Sequence, residues 1–281
     1  MTRIDMILES FRLAGRRGPP VQGELRLPES AAAAPVIVFV NGLILSRDWG
    51  FYPYLAERLA QSGFAVLTYD SASSALESSP EEATVSNELE DLAFLLDGIG
   101  ERRVPGSERC LPEVIGLFGH GKGGSVGLLH AVRDPRVRTL VTLAACSTFD
   151  RFHPGEVARI DREGHLEVPQ PGTGRVVRIS KAYLDDLREH RHRFSLEAAL
   201  PSLRVPVAFI HGEEDHIVGV SESEALYHWS DKDRARLIVL EKTGHTLGAV
   251  HPFHGPNRDI ERLVQICVAF FTENLAAGTC A

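Results

Sequence analysis

One stretch constrains the architecture of this chain more than any other. Val114 to Gly127 reads VIGLFGHGKGGSVG, an apolar run that breaks into glycines and resumes as the helical spacing of Val126, Leu128, Leu129 and Val132. A short continuous apolar run bounded by turn residues marks a strand buried on both faces, and such strands belong to parallel sheets covered by helices. The strand therefore turns abruptly into a helix around Gly119 to Gly124. Glycine suits the turn because it reaches positive φ without steric cost.

The same alternation recurs along the chain. Met6 to Leu13 and Val21 to Leu27 alternate as two strands separated by the turn residues of Gly15 to Pro20, an antiparallel start. Val36 to Val40, Phe64 to Tyr69, Val137 to Leu143, Val205 to Ile210 and Arg236 to Leu240 read as further strands. Between them lie helical patterns: one ending at Ala60 with Leu55 and Leu59 a turn apart, one lined by Leu89, Leu92, Ala93, Leu95 and Leu96, then Ser221 to Trp229 and Ile260 to Leu275. Asp70 to Ser79 is a polar loop. Repeated βαβ units predict an α/β fold with a mostly parallel, doubly wound sheet, whose strand ends bring Asn41, Gly121 and Cys146 to one rim.

From Ser147 to Leu203 the pattern changes. Phe149, Phe152 and His153 precede a charged helix, Gly164 to Ile179 reads as a hairpin around Pro169 to Gly174, and Lys181 to Ala199 reads as one helix. The division expected is a core of residues 1–146 and 204–281 with a helical and hairpin cap inserted at 147–203, the segment that sets substrate selectivity.

Composition narrows the function. At 281 residues the chain is long enough for one large domain, and a formal charge of −8 argues against nucleic acid as a partner. No apolar run reaches membrane-spanning length and no cleavable leader is visible, so a soluble cytoplasmic protein is expected. Cys110, Cys146, Cys267 and Cys280 lack C-x-x-C spacing and read as free thiols. Apart from Ala31 to Ala34 there is no low-complexity tract. No metal and no cofactor is expected, and a homodimer stays open.

The chemistry starts at the glycine turn. Gly119-His120-Gly121-Lys122-Gly123 keeps the frame of G-x-S-x-G, in which a serine nucleophile sits at the tip of a strained strand-to-helix turn, but residue 121 has no hydroxyl. A phosphate-binding loop, G-x-x-x-x-G-K-S/T, is a false lead: the hydroxyl residue is Gly123 here, and its first glycine, Gly116, lies inside the strand. Downstream, Asp215 follows a buried strand in HGEED (211–215), and His245 follows Gly244 after the next strand. An aspartate that accepts the imidazole N–H fixes the tautomer and leaves the other ring nitrogen as a base. The order Gly121, Asp215, His245 is nucleophile position, acid, histidine.

These motifs resemble the α/β-hydrolase superfamily, specifically the bacterial esterase and peptidase-like group related to dienelactone hydrolases. The resemblance rests on DWGFYPYLA (48–56), GHGKGG (119–124), FDRF (149–152), HGEED (211–215) and GHTLGAVHPF (244–253), and runs from about Val36 to the C-terminus. It implies the α/β-hydrolase fold and a backbone oxyanion hole, with Asn41, Gly42 and Leu43 after the third strand and His120 and Lys122 at the elbow as its oxyanion or substrate-binding residues. The chain departs from that group at Asn41, where the group usually has histidine, at Asp70 to Ala75, and at Gly121.

Several residues carry two readings. Cys146 is a replacement nucleophile or, as favoured, a small buried hydrophobe. Lys122 neutralises an anionic substrate or, as favoured, points away and packs by its stem. His190 and His192 sit among arginines as a solvated helix face rather than a metal site. His251 and His254 serve the pocket or fix their loop, and Trp49 and Tyr52 pack or line the pocket.

Three functions fit. The first is a serine hydrolase inactivated by replacement of its nucleophile, in its lineage or by design. The second is an enzyme that acts on an ester, lactone or other carbonyl compound through an Asp215–His245 base without an acyl-enzyme, by hydrolysis or by a lyase or isomerase reaction. The third is a non-catalytic ligand-binding protein. The second is favoured because Asp215, His245 and the glycine-rich elbow occur together; the changes at Asn41 and at Asp70 to Ala75 favour natural divergence over a single engineered replacement.

Overall fold

The computed structural model describes residues 6–15, 20–29, 33–71 and 80–275. Strands β1 (Met6–Leu13) and β2 (Val21–Pro28) open the chain as an antiparallel pair. There follow β3 (Ala34–Val40), α1 (Tyr52–Ala60), β4 (Ala65–Asp70), α2 (Val85–Gly100), β5 (Cys110–His120), α3 (Lys122–Ala131) and β6 (Val137–Leu143). Next come α4 (Pro154–Glu163), the hairpin β7 (His165–Pro169) and β8 (Val176–Ser180), α5 (Lys181–Glu189) and α6 (Leu196–Ala199). The alternation then resumes with β9 (Val207–Gly212), α7 (Val220–Trp229), β10 (Ala235–Leu240) and α8 (Arg258–Leu275).

Eight strands form one sheet in the order β1-β2-β4-β3-β5-β6-β9-β10. Only the pairs made by β2 are antiparallel; every other neighbouring pair in this sheet is parallel. The period-two alternation of a strand explains why the central strands are apolar throughout. On β3, Val36, Val38 and Val40 enter the core beneath α2 and α3, while Ile37 and Phe39 enter the core beneath α1 and α8. This is the α/β-hydrolase fold, a mostly parallel sheet wound on both faces.

The single helix expected over Lys181 to Ala199 is two. α5 stops at Glu189 and α6 starts at Leu196, where the Ser195 hydroxyl accepts the Ala198 N–H at 3.2 Å. Between them the chain turns in so that Phe194 is buried against Phe149, ring centroids 5.9 Å apart. A serine offers the chain a helix start that apolar spacing does not register. Parts of the turn expected at 15–20, the alanine tract at 31–34 and the polar loop at 70–79, and all of Cys280, lie outside the described residues. Cys110, Cys146 and Cys267 are free and buried, and among the described residues no helix is long and apolar enough to cross a membrane.

Candidate active site

The glycine turn between β5 and α3 has the expected geometry. Gly121 precedes the first turn of α3 at φ 53° and ψ −124°, a conformation that strains any residue with a Cβ. Its flanking glycines are needed for a different reason. A Cβ on Gly119 would lie 2.5 Å from Gly124 Cα, and one on Gly123 would lie 2.1 Å from the Val40 carbonyl oxygen. The helix start is thus pressed against the ends of β3 and β5. At Gly121 there is room: a Cβ there would meet only the His245 ring, at 3.6 Å from Nε2 and 3.7 Å from Cε1.

That ring is held from the other side. His245 Nδ1 lies 2.7 Å from Asp215 Oδ2, so Nδ1 carries the proton and the Nε2 lone pair is available toward residue 121. Asp215 Oδ1 accepts the backbone N–H groups of Ile217 and Val218, both at 2.8 Å. His211 Nε2 lies 3.2 Å from Asp215 Oδ2 and 2.7 Å from the Val218 carbonyl, while its Nδ1 meets the Ser223 hydroxyl at 2.7 Å. A carbonyl only accepts, so His211 donates from Nε2, and its Nδ1 accepts the hydrogen bond of the Ser223 hydroxyl. Burial opposes the charge on Asp215, but the hydrogen bonds from His211, His245 and Val218 outweigh it and hold this carboxyl well below the usual range.

His120 and Tyr52 tie the two sides of the site together. His120 Nε2 donates to the His245 carbonyl at 3.1 Å, and its Nδ1 accepts from the Tyr52 hydroxyl at 2.8 Å. The Tyr52 oxygen in turn accepts the Gly42 N–H at 3.3 Å. Burial, with the neighbouring His245, lowers the His120 imidazole to about 3, so its tautomer is fixed at neutral pH. Tyr52→Phe removes the centre of this chain and is expected to cost about 1–3 kcal/mol of stability by leaving two buried groups unsatisfied. Urea unfolding reads it; a loss below about 0.5 kcal/mol would mean that the chain contributes nothing.

The residues singled out in the sequence divide accordingly. Gly42, Leu43, Gly121, Lys122 and His245 line one cavity of about 400 Å³, with Cys146 and Trp49 in its wall. The Gly42 N–H is used by Tyr52, whereas the Leu43 N–H has no hydrogen-bond partner among the described residues. Asn41 turns away, its amide donating to the Tyr69 carbonyl at 2.7 Å, and it closes the end of β3 rather than facing the cavity. Lys122 departs from the favoured reading of a side chain packed only by its stem. Its ammonium is buried, 2.6 Å from Glu88 Oε1 and 5.4 Å from the centre of the Tyr183 ring. The thiol of Cys146 is pushed up to about 11 by burial, which suits a small hydrophobe and not a nucleophile. Among the described residues no cluster of His, Cys, Asp or Glu could hold a metal ion.

The segment between β6 and β9 roofs the cavity. Trp49 Nε1 donates to the Pro171 carbonyl at 3.0 Å and Gln170 Nε2 to the Ile44 carbonyl at 2.6 Å, which fixes the tip of the β7–β8 hairpin to the loop after β3. His251 completes that junction by accepting the Gly50 N–H at 3.2 Å, so it fixes loops, while His254 is exposed. On α5, Asp186 accepts from Ser86, through its N–H at 3.0 Å and its hydroxyl at 2.6 Å, at the start of α2. Sequence reading missed His211 as a partner of Asp215 and Glu88 as a partner of Lys122. The first had a visible signal in its spacing, four residues before Asp215; the second had none.

Comparison with known proteins agrees on the fold. No family model matches the sequence, and no curated protein does. Among solved structures, the esterase domain of a Rhodothermus marinus protein is 21% identical with a TM-score of 0.69, the match covering 96% of this chain and 99% of the other. The dienelactone hydrolase of Anabaena variabilis is 17% identical with a TM-score of 0.64, over 96% and 99%. Alpha/beta hydrolase domain-containing protein 10 from mouse is 18% identical with a TM-score of 0.72, over 94% and 99%. At such identities the likeness defines the architecture.

Proposed function

We propose that this protein is an enzyme of the α/β-hydrolase fold that acts on a carbonyl compound, an ester or lactone foremost, through His245 as a general base and without an acyl-enzyme. The observation that carries this reading is the open space beside Gly121, whose Cβ position lies 3.6 Å from His245 Nε2, the ring nitrogen that the Asp215 bond at Nδ1 leaves facing residue 121. In serine hydrolases that space holds the nucleophile; here a water molecule can occupy it.

The chemistry balances without a covalent intermediate. His245 Nε2 takes a proton from water as the oxygen attacks the carbonyl carbon, and the carbonyl π electrons move onto oxygen. The N–H groups of Leu43 and Lys122, the latter at the start of α3, are the donors for that oxyanion. Collapse expels the alkoxide, which recovers the proton from the imidazolium, while Asp215 stays ionised and steadies the charge. General-base catalysis supplies about 10²- to 10⁴-fold, and sites stripped of their nucleophile retain about 10³- to 10⁴-fold over water.

Short- and medium-chain aryl esters and lactones, assayed with the protein, with Gly121→Ser and with His245→Ala, test the reading. The expected result is turnover by the unmodified protein without a burst, lost by about 10²- to 10⁴-fold in His245→Ala. Turnover by Gly121→Ser alone would instead mark a hydrolase frame that has lost its reaction.

A further inference from the structure

The walls of the cavity carry little that could meet a charged ligand. Three charged residues line it, Lys122, Arg151 and Glu156. Arg151 and Glu156 lie at exposed positions, Arg151 paired with Glu222 and donating to the Ile217 carbonyl at 2.8 Å, Glu156 accepting the His153 N–H at 2.9 Å. Only Lys122 is deep, and Glu88 matches it at 2.6 Å with both side chains 5% exposed or less. Burial keeps the Cys146 thiol and the Tyr183 phenol neutral. The roof is apolar by strand alternation: Leu166 and Val168 of β7 and Ile179 of β8 line the cavity, while Glu167 faces out to Arg178 at 3.1 Å.

We propose that this cavity selects neutral, predominantly apolar carbonyl compounds and rejects carboxylates and ammonium ions of the same size, because its deep cation is already matched by Glu88 and its remaining inner wall is uncharged. The inference rests on the proposed function only in taking this cavity as the substrate site. A carboxylate brought into such a space loses its hydration and meets no unmatched cation, and an ammonium ion meets no unmatched carboxylate. Selection is thus by rejection as much as by attraction.

Three probes with one phenylethyl body separate the cases: benzylacetone, a neutral ketone that cannot be hydrolysed, hydrocinnamate, and phenylpropylamine. Calorimetric titration at neutral pH is expected to show benzylacetone binding at least about tenfold more tightly than either ion. Val168→Trp, which fills space from the roof, is expected to weaken it by about tenfold or more. Glu88→Gln, which removes the carboxylate beside Lys122, is expected to improve hydrocinnamate binding by about tenfold. Equal or tighter binding of either ion to the unmodified protein overturns the proposal, as does binding of none of the three at millimolar concentration or indifference to Val168→Trp. Ketone binding without turnover of any ester supports this selectivity while removing the catalytic reading. Turnover of a carboxylate-bearing ester that depends on His245 does the reverse.

Discussion

Gly121→Ser is expected to react with an aryl fluorophosphonate and retain a covalent adduct at residue 121, at a rate at least about 10³-fold above the unmodified protein. The geometry asks for little adjustment. The Cβ would sit 3.6 Å from His245 Nε2 in ordinary contact, and one further bond places Oγ within hydrogen-bond reach of that nitrogen. His245 is already oriented by Asp215 at 2.7 Å, so the serine completes a three-residue relay instead of creating one. The gain comes with strain, because φ 53° and ψ −124° are unfavourable for serine. About 1–3 kcal/mol is expected, lowering Tm by roughly 2–4 °C for each kcal/mol. Gly121→Ala isolates the strain: it should lose the same stability and take no adduct. Adding His245→Ala to Gly121→Ser should return labelling close to background. Intact-mass spectrometry and thermal unfolding read both quantities, and a folded Gly121→Ser protein that takes no adduct would show that Nε2 is not directed at this position.

That experiment turns on features visible in the sequence, and the reason is local. The apolar run that ends in glycines at Gly119 records a strand, a turn and a helix within one short window, and backbone sterics leave few alternatives. Asp215 and His245 were legible because Asp215 follows the buried strand β9 and His245 follows the next parallel strand, β10, which places both at the same edge of the sheet. The continuous apolar run of β3 and the helical spacing of Leu89, Leu92, Leu95 and Leu96 on α2 marked buried residues because each depends only on its own element, although Ala93 is half-buried and the unmarked Phe94 is buried.

What escaped the sequence lies in contacts between distant elements. Glu88 sits on α2, thirty-four positions before Lys122, on a helix whose spacing shows only that one side is apolar. Nothing in either local pattern says that two charges will be buried together, and the favoured reading of Lys122 followed the usual behaviour of a lysine at a surface. Gly42 illustrates a finer loss. Its position in the loop after β3 was read correctly, yet its N–H is claimed by Tyr52, while the Leu43 N–H has no partner among the described residues. The break between α5 and α6 is of the same kind, set by Phe194 meeting Phe149 across the fold.

His120 carries the second large effect, on stability in acid. Burial, reinforced by the adjacent His245, lowers its imidazole from 6.5 to about 3, and both ring nitrogens are committed, to Tyr52 and to the His245 carbonyl. In the unfolded chain the same group takes up a proton near pH 6.5. Between those values the unfolded state binds the extra proton and the folded state does not, so stability rises with pH and falls as the solution is acidified. The slope is about 1.4 kcal/mol for each pH unit, a few kcal/mol over the whole window. The depressed carboxyl of Asp215 has its own window: its contribution is fully present above the unfolded value of 3.8 and is lost as pH falls below it. The range from about pH 6.5 to 4.5 therefore separates the histidine from the aspartate. His120→Gln can keep a donor toward the His245 carbonyl and an acceptor for Tyr52 but cannot titrate. Its urea-unfolding free energy should start lower at pH 8 and decline less steeply across that range, by about one proton's worth of slope. Equal slopes in the two proteins would mean that His120 accepts a proton in the folded state in this range, against the lowering that its burial imposes.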